Sequence, residues 1–581
     1  MPGAENAATV EFLDNIADML EIKGENTFRV RAYRDAARQI ENLTEDIQDI
    51  LRRGELRSIP GIGEGIAEKL TEFLTTGHSE YYENLKKQVN PGVAELLTVP
   101  GIGPKKARLF FDALGIDSVE KLQEAARAHR LSSLPRIGEK TEANILASIE
   151  RMRGRGGRTP LAPAYRAAEK FLLQLREFPE VEKADLAGSL RRMRETIGDL
   201  DLIAASNQPE AVVDRFVHLP SAISILAQGP TKGSIITSGN LQVDLRVVKP
   251  EEYGAGLQYF TGSKPHNIRI RTIAEGKGLK VNEYGIFKAD GERIAGETEE
   301  SMYRALGLLW MPPELREDRG EIEAAREGAL PRLVEPSHIK GDLHVHTDWS
   351  DGANSPEEMI EAARSRGYQY IAISDHSVSM GFIHGLTQER IQEQRALIQT
   401  LQKKYPQIKI LHGIEVNIRG DGSLDYDDQT LAGFDVVTAS VHSGLGMNKQ
   451  KMTERIIRAI RNPYVNIFGH PTGRIIGKRE PYEVDLEAVI RAATETGVAL
   501  EINSQTDRLD LKDTDARLAR DMGAGLCINS DAHAADQLDL MFFGVETARR
   551  GWVTPGDVLN ALPLNLLLSR LAKPGQVRRV A

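Results

Sequence analysis

Short apolar runs between Asp342 and His533 each end in residues that bind metal ions. They are Asp342-Leu343-His344-Val345-His346, Ser374-Asp375-His376, Gly413-Ile414-Glu415, Ser440-Val441-His442, Phe468-Gly469-His470 and Ser530-Asp531-Ala532-His533. Imidazoles and carboxylates are the ligands that zinc, manganese and iron prefer. One histidine after one strand is commonly a core or surface residue. Repetition over five strand ends predicts a single polynuclear site. Its chemistry would be metal-assisted hydrolysis, of a phosphoester by preference.

A second set of acids lies upstream. Ala187-Gly188-Ser189-Leu190-Arg191-Arg192 precedes Gly198-Asp199-Leu200-Asp201-Leu202, and Asp244 follows in Leu241-Gln242-Val243-Asp244-Leu245-Arg246-Val247. Residues i and i+2 of a strand share a face, so Asp199 and Asp201 point one way while Leu200 and Leu202 enter a core. Three carboxylates on neighbouring strands suit two Mg²⁺ ions, which activate a 3′-hydroxyl and stabilise a leaving pyrophosphate. The Gly-Ser turn and Arg192 offer donors to a triphosphate. Asp-x-Asp alone also fits a solvated strand face; the flanking residues make it specific.

Ile59-Pro60-Gly61-Ile62-Gly63 returns as Val99-Pro100-Gly101-Ile102-Gly103 and, less completely, as Leu134-Pro135-Arg136-Ile137-Gly138. These are imperfect repeats of a helical unit. Gly61, Gly63, Gly101 and Gly103 would let backbone N–H groups approach a DNA phosphate at a helix start, without reading bases. Lys105, Lys106 and Arg108 follow the second copy. The plainer alternative is a helix corner that binds nothing. Arg136 replaces the first glycine of the third copy, which weakens its phosphate role.

These groups need elements to hold them. The chain has 581 residues, so several domains are expected. A net charge of -10 confines any nucleic-acid contact to local basic surfaces. The one cysteine, Cys527, sits in an apolar run and reads as a buried thiol in a reducing cytosol. No apolar run is long enough to span a bilayer, and the polar N-terminus does not read as a signal peptide. Helical stripes fill residues 1 to about 90, and Arg151–Pro160 reads as a basic linker. Strand alternation runs from Val181 to Val248, and the charged stretch Arg319–His338 reads as an interdomain linker. Beyond it, strands and helices alternate. That order predicts a parallel α/β barrel with its ligands at the C-terminal strand ends.

Gly188-Ser189, Asp199-x-Asp201, Asp244, Tyr259-Phe260-Thr261-Gly262-Ser263 and Asn282-Glu283-Tyr284 resemble the palm and thumb of the polymerase beta-like family X DNA polymerases. The resemblance implies that Asp199 and Asp201 bind both Mg²⁺ or Mn²⁺ ions, and that Asp244 completes the site nearer the primer. It implies that Gly188, Ser189 and Arg192 hold the triphosphate, that Tyr259, Phe260 and Gly262 lie against the sugar, and that Asn267 and Arg271 touch the nascent pair. Lys264 stands where the vertebrate repair member carries an acid, so it is expected to attract the nucleotide. Ala32-Tyr33-Arg34 and the helix after Gly61 resemble that family's lyase domain, which makes Lys69 a candidate Schiff-base lysine. Gly65 and Arg29 replace family lysines, which puts lyase activity in doubt while DNA binding stands.

The histidine set is similar to the polymerase and histidinol phosphatase (PHP) domain. The resemblance implies nine ligands for three divalent ions, Zn²⁺ or Mn²⁺. His344, His346, Glu415 and Asp531 would hold the first, Glu415, His442 and His470 the second, and Asp351, His376 and His533 the third. The expected multidomain fold has N-terminal all-α helix-hairpin-helix domains (1–90, 91–155), an α+β nucleotidyltransferase palm (156–250), and a thumb (251–318). A linker (319–337) and a C-terminal α/β, distorted β/α barrel PHP domain (338–575) follow. The expected protein is a cytoplasmic, nucleoid-associated monomer that fills short gaps in primed double-stranded DNA from dNTPs. It would trim 3′ ends at the PHP site, with other repair proteins such as ligase as partners and no membrane. Two alternatives stay open: a PHP site for small phosphate esters, and a non-catalytic scaffold that binds gaps.

Overall fold

The computed structural model describes residues 4–41, 47–59, 61–76, 79–99, 102–135, most of 137–149, 158–237, 241–378 and 384–572. The chain forms two compact units, Met1–Gly157 and Arg158–Ala581. No described helix is long and apolar enough to cross a membrane.

The first unit is helical, as its apolar stripes require. Helices Ala4–Lys23, Thr27–Glu41 and Glu64–Thr76 close one core around Leu13, Ile16, Ile40 and Leu70. Helices Pro104–Leu114 and Val119–Arg127 close a second around Leu96, Phe110 and Leu122. The repeated turn is one local structure. Ile62 N–H donates to the Ile59 carbonyl at 3.1 Å, Ile102 to Val99 at 3.0 Å and Ile137 to Leu134 at 3.1 Å. In each copy the isoleucine is buried, which pins the turn to its core.

The second unit begins with a palm. Its strands are β1 (Lys183–Leu186), β2 (Leu200–Ala205), β3 (Ala222–Gln228), β4 (Lys232–Thr237) and β5 (Gln242–Val248), in the order β1-β2-β5-β4-β3. β2 and β5 are parallel, with Asp201 paired to Asp244. Strand alternation does not continue through the whole segment. Helix Pro209–Val217 intervenes because Val212, Val213, Phe216 and Val217 make a helical stripe that covers the sheet. A thumb follows, with helices Tyr253–Thr261 and Lys264–Gly276 and a small antiparallel sheet.

The stretch Arg319–His338 is not an open linker. It carries helix Glu321–Glu327, and Glu321 and Ile322 are fully buried. Its charges are satisfied internally: Glu321 accepts from the Asp318 and Arg319 amides at 2.9 and 2.7 Å and shares a 2.7 Å hydrogen bond with His266. Charged composition here marks partnered polar groups rather than solvent.

Beyond it seven parallel strands run in sequential order: β6 (Gly341–Val345), β7 (Tyr370–Ile373), β8 (Lys409–Asn417), β9 (Val436–Ser440), β10 (Ile467–Phe468), β11 (Ala499–Asn503) and β12 (Leu526–Asn529). Val345 bridges Ala532 in parallel, which brings the last strand back against the first. The result is a nearly closed barrel with helices outside, and Cys527 is buried in it.

One buried charge cluster ties palm to thumb. Glu299 accepts from Arg191 at 2.7 and 2.8 Å, from Arg316 at 2.6 and 3.0 Å and from Trp310 Nε1 at 3.1 Å. Burial opposes its charge, yet the two guanidiniums hold the carboxyl far below the usual range. Glu299→Ala strands Arg316 without a counter-ion in the interior, so it should destabilise this unit by about 3–5 kcal/mol. Urea unfolding followed by fluorescence measures the loss; a value near zero would refute the cluster's structural role.

Candidate functional site

The palm acids converge. Leu200 and Leu202 are buried, so period two turns Asp199 and Asp201 outward, and the parallel register sets Asp244 beside Asp201. Ligand oxygens of Asp199, Asp201 and Asp244 all lie within 4.8 Å of one another. Burial, then Asp199 and Asp244, push the Asp201 carboxyl up to about 7. Asp244 moves the other way. Burial is outweighed by hydrogen bonds from Gln242 at 2.9 Å and Ser234 at 2.7 Å and by Lys232 at 3.2 Å. Three carboxylates with one lysine form an anionic focus that fits divalent cations with oxygen ligands.

Gly188 starts the adjacent turn at φ +60°, and a Cβ there would lie 1.9 Å from Asp201 Oδ2. Only glycine lets the turn close on the carboxylate. Gly188, Ser189, Arg192, Asp199, Asp201, Tyr259, Phe260, Gly262, Lys264, Asn267 and Arg271 line one cleft of about 530 Å³, with Thr261 and Arg158. Arg158 was hidden in sequence at the end of a basic segment whose residues 151–157 lie outside the described ones; it donates to Thr196 Oγ1 at 3.0 Å. Arg192 is held from both sides. Its Nε donates to Glu317 at 3.1 Å and its Nη1 to the Thr261 carbonyl, which fixes the guanidinium at the cleft wall. Asn267 is oriented by Gln258 at 2.8 Å and the Tyr259 carbonyl at 2.7 Å. Tyr259 and Phe260 pack edge to face at 5.2 Å.

The barrel gathers its ligands at the C-terminal strand ends. One set of ligand atoms joins His346, Asp351, His376 and His533; a second joins His344, His346 and Asp531; a third joins His376, Glu415 and His442. His346 and His376 therefore each serve two sets, where the sequence places each in one. His470 Nε2 lies 3.1 Å from Glu415. Donor chemistry fits metal ions. His344 Nε2, both nitrogens of His346, His376 Nδ1 and His470 Nδ1 are buried without a hydrogen-bond partner. Each orphan of this kind costs about 1–3 kcal/mol unless a ligand satisfies it. His376 Nδ1 does approach Glu415 at 2.9 Å, but without hydrogen-bond angles. Backbone strain marks the site too, with positive φ at His470 (29°) and Asp531 (51°).

A supporting shell fixes the ligands, and sequence reading missed it. Glu501 accepts from His344 Nδ1 at 2.7 Å, the His470 amide at 2.7 Å and Asn529 at 2.8 Å. Asn417 holds His442 Nδ1. Asp375 accepts from the Thr347 amide at 2.8 Å and Ser350 Oγ at 2.6 Å, steadying the loop that carries Asp351. The available signal was a polar residue within an otherwise buried strand, as in Leu500-Glu501-Ile502.

In the helical unit, Gly61, Gly63 and Gly103 face open space where a Cβ would sit, so packing does not demand them. Lys105 is 84% exposed and lies 3.6 Å from Glu21. Gly101 lies outside the described residues. Lys69 Nζ donates to the Gly65 carbonyl at 2.6 Å and sits 4.6 Å from the Tyr81 ring centre. Arg29 approaches the same ring and donates to its hydroxyl at 2.9 Å.

An acid-lined palm with its own cleft and a separate histidine-rich cluster able to hold metal ions define a two-site class of protein. Comparison with known proteins agrees. Residues 4–79 match the helix-hairpin-helix domain, 93–151 the SAM-like helix-hairpin-helix tandem, 256–317 the DNA polymerase beta thumb and 342–505 the PHP domain. The chain is 39% identical to the DNA polymerase/3′-5′ exonuclease PolX of Bacillus subtilis (strain 168), over 96% of this chain and 97% of that one. Probable phosphatases of Thermoanaerobacter sp. (strain X514) and Shewanella oneidensis are each 32% identical, over 38% and 34% of this chain and 89% and 77% of their own. The chain belongs to the bacterial family X DNA polymerases that carry a PHP domain.

Glu501→Gln should weaken metal binding at the barrel by about ten- to hundredfold. Chelator competition on the metal-loaded chain measures this, and unchanged affinity would remove Glu501 from the site. In metal-free protein, burial opposes charge on His376, but Glu415 and Asp351 hold its imidazole up to about 10. An entering ion must displace such protons, so Mn²⁺ affinity should keep rising with pH towards about 10. Calorimetry in buffers of different ionisation enthalpy would detect the released protons.

Proposed function

We infer that this chain is a DNA-directed DNA polymerase that fills short gaps and that also shortens 3′ ends at its PHP centre. The pairing of Asp201 with Asp244 beside the Gly188 turn carries the polymerase reading. The nine-residue cluster, with its orphaned imidazole nitrogens, carries the hydrolase reading.

In the polymerase site we assign Asp199 and Asp201 to both divalent ions and Asp244 to the ion nearer the primer. All-carboxylate donors favour Mg²⁺ or Mn²⁺. When bound, these ions lower the cost of ionising the primer 3′-hydroxyl and neutralise the leaving pyrophosphate. Asp244, kept ionised by Ser234, Gln242 and Lys232, is placed to accept the hydroxyl proton. Ser189 and Arg192 orient the triphosphate, Lys264 draws it in, and Tyr259-Phe260 exclude water from the sugar. At the PHP centre, imidazole-rich donors favour Zn²⁺ or Mn²⁺. Glu415 would hold both the first and the second ion, and His344, fixed by Glu501, would offer Nε2 to the first. Gly61, Gly63, Gly101, Gly103 and Lys105 are assigned to DNA phosphates, and residues 1–90, 91–155, 156–250, 251–318 and 338–575 to the five domains. Lys69 keeps a Schiff-base role only if DNA displaces its bond to Gly65.

The likeness to probable phosphatases favours one competing reading of the PHP centre, a small phosphate ester as substrate. A labelled one-nucleotide-gapped duplex separates the two. Asp201→Ala should lose gap filling by at least about a hundredfold, yet still shorten the 3′ end in Mn²⁺ without dNTP. Asp201→Ala/His344→Ala should do neither. Absence of shortening in both variants would sink the exonuclease reading and leave the phosphoesterase one.

A further inference from the structure

We propose that Arg550, on the helix that follows the last strand of the PHP barrel, is a positioning residue for nucleotide binding in the polymerase cleft. Arg550 is absent from the cleft wall, so it acts through other groups. Its Nη1 donates to the Arg192 carbonyl and, at 3.0 Å, to Glu317; its Nη2 donates to Asp513 at 2.7 Å. Glu317 in turn takes Arg192 Nε at 3.1 Å, and Asp513 takes Arg319 at 3.1 Å. Arg192, Glu317, Arg550, Asp513 and Arg319 thus form one alternating chain from the nucleotide cleft into the hydrolase domain.

Its charge balance matters. Arg194 lies 3.8 Å from the same Glu317, so four guanidiniums face two carboxylates and positive charge is in excess. Glu317 is shared among Arg192, Arg550 and Arg194, so it cancels none of them alone. Burial opposes its charge, but Arg550 and Arg192 together keep the carboxyl ionised. The side chains of Arg550 and Glu317 are only 4% and 11% exposed, so water does little to screen them. Without Arg550, Glu317 would turn its charge on Arg192 and Arg194, and the positive excess would shrink. The Arg192 backbone, which ends the Gly188–Arg191 turn that carries Ser189, would also lose its anchor. Arg550 makes no contact with the nine barrel ligands, so the hydrolase centre does not depend on it directly.

This proposal rests on the reading of the palm as a dNTP site. The test is steady-state gap filling by the full chain, with the wild type, Arg550→Ala and Arg550→Ala/Glu317→Gln compared. In Arg550→Ala the KM for dNTP should rise about tenfold while kcat stays within about twofold, as expected for lost ground-state binding. Shortening of 3′ ends should be unchanged. In the double variant the unshielded carboxylate is gone, so KM should return to within about threefold of wild type. An unchanged KM in Arg550→Ala, with an active wild type, overturns the proposal and leaves the function intact. A raised KM that Glu317→Gln does not restore also overturns it, since that pattern reports a loosened interface. A wild-type chain that incorporates nothing overturns the polymerase reading and this proposal together.

Discussion

One buried carboxylate organises the hydrolase half of this protein. Glu415 lies 2.9 Å from His376, 3.1 Å from His470, 3.3 Å from His442, 3.5 Å from His344 and 3.7 Å from His346. A solitary ionised carboxylate that deep would cost many kcal/mol, and so would the buried ring nitrogens near it that lack a hydrogen-bond partner. Each makes the other tolerable, and cations complete the balance. No single strand can supply such a cluster. Five histidines reach one acid only because parallel strands in sequential order deliver every C-terminal end to the same rim. The palm solves the inverse problem with the same device: parallel pairing of two strands concentrates acids and leaves lysine and divalent ions to offset them.

The two sites are built into one frame. Arg474, four residues past His470, pairs with Glu195 at 2.8 Å, three residues past Arg192. Phe543 of helix Met541–Arg550 and Leu540 just before it pack into the palm core. The thumb closes through the Glu299 cluster, and Glu314 pairs with Arg549 at 3.1 Å. Arginine dominates these joints because its planar fork serves two acceptors at once. A joint of this kind transmits position well, since a fork that moves must break charged bonds on both sides.

Much of both sites was legible in the sequence because strands have a period of two. That period sets Asp199 with Asp201, and His344 with His346, on one face of a strand. Repeated Pro-Gly-Ile-Gly punctuation likewise announced the helical turns. What stayed hidden depends on long-range contact. Glu501 is one acid in a buried strand with no fixed spacing to His344, and only the seven-stranded order makes them neighbours. Arg158 looked like one more cation in a basic run. The stretch Arg319–His338 looked solvated because its charges are many, although Glu321 and Arg319 spend them on internal partners. The sharing of His346 and His376 between ligand sets depends on side-chain placement that strand patterning does not define.

The sequential strand order also has a temporal meaning. Asp244 completes the palm triad early in the chain, whereas the barrel ring closes only when Ala532 meets Val345, and Asp531 and His533 arrive with that closure. Domains fold largely as they leave the ribosome, N-terminal first. A nascent chain therefore holds its palm acids while the barrel still lacks ligands. Yet Leu540 and Phe543, which emerge after the last strand, belong to the palm core, so both sites wait for the same C-terminal segment.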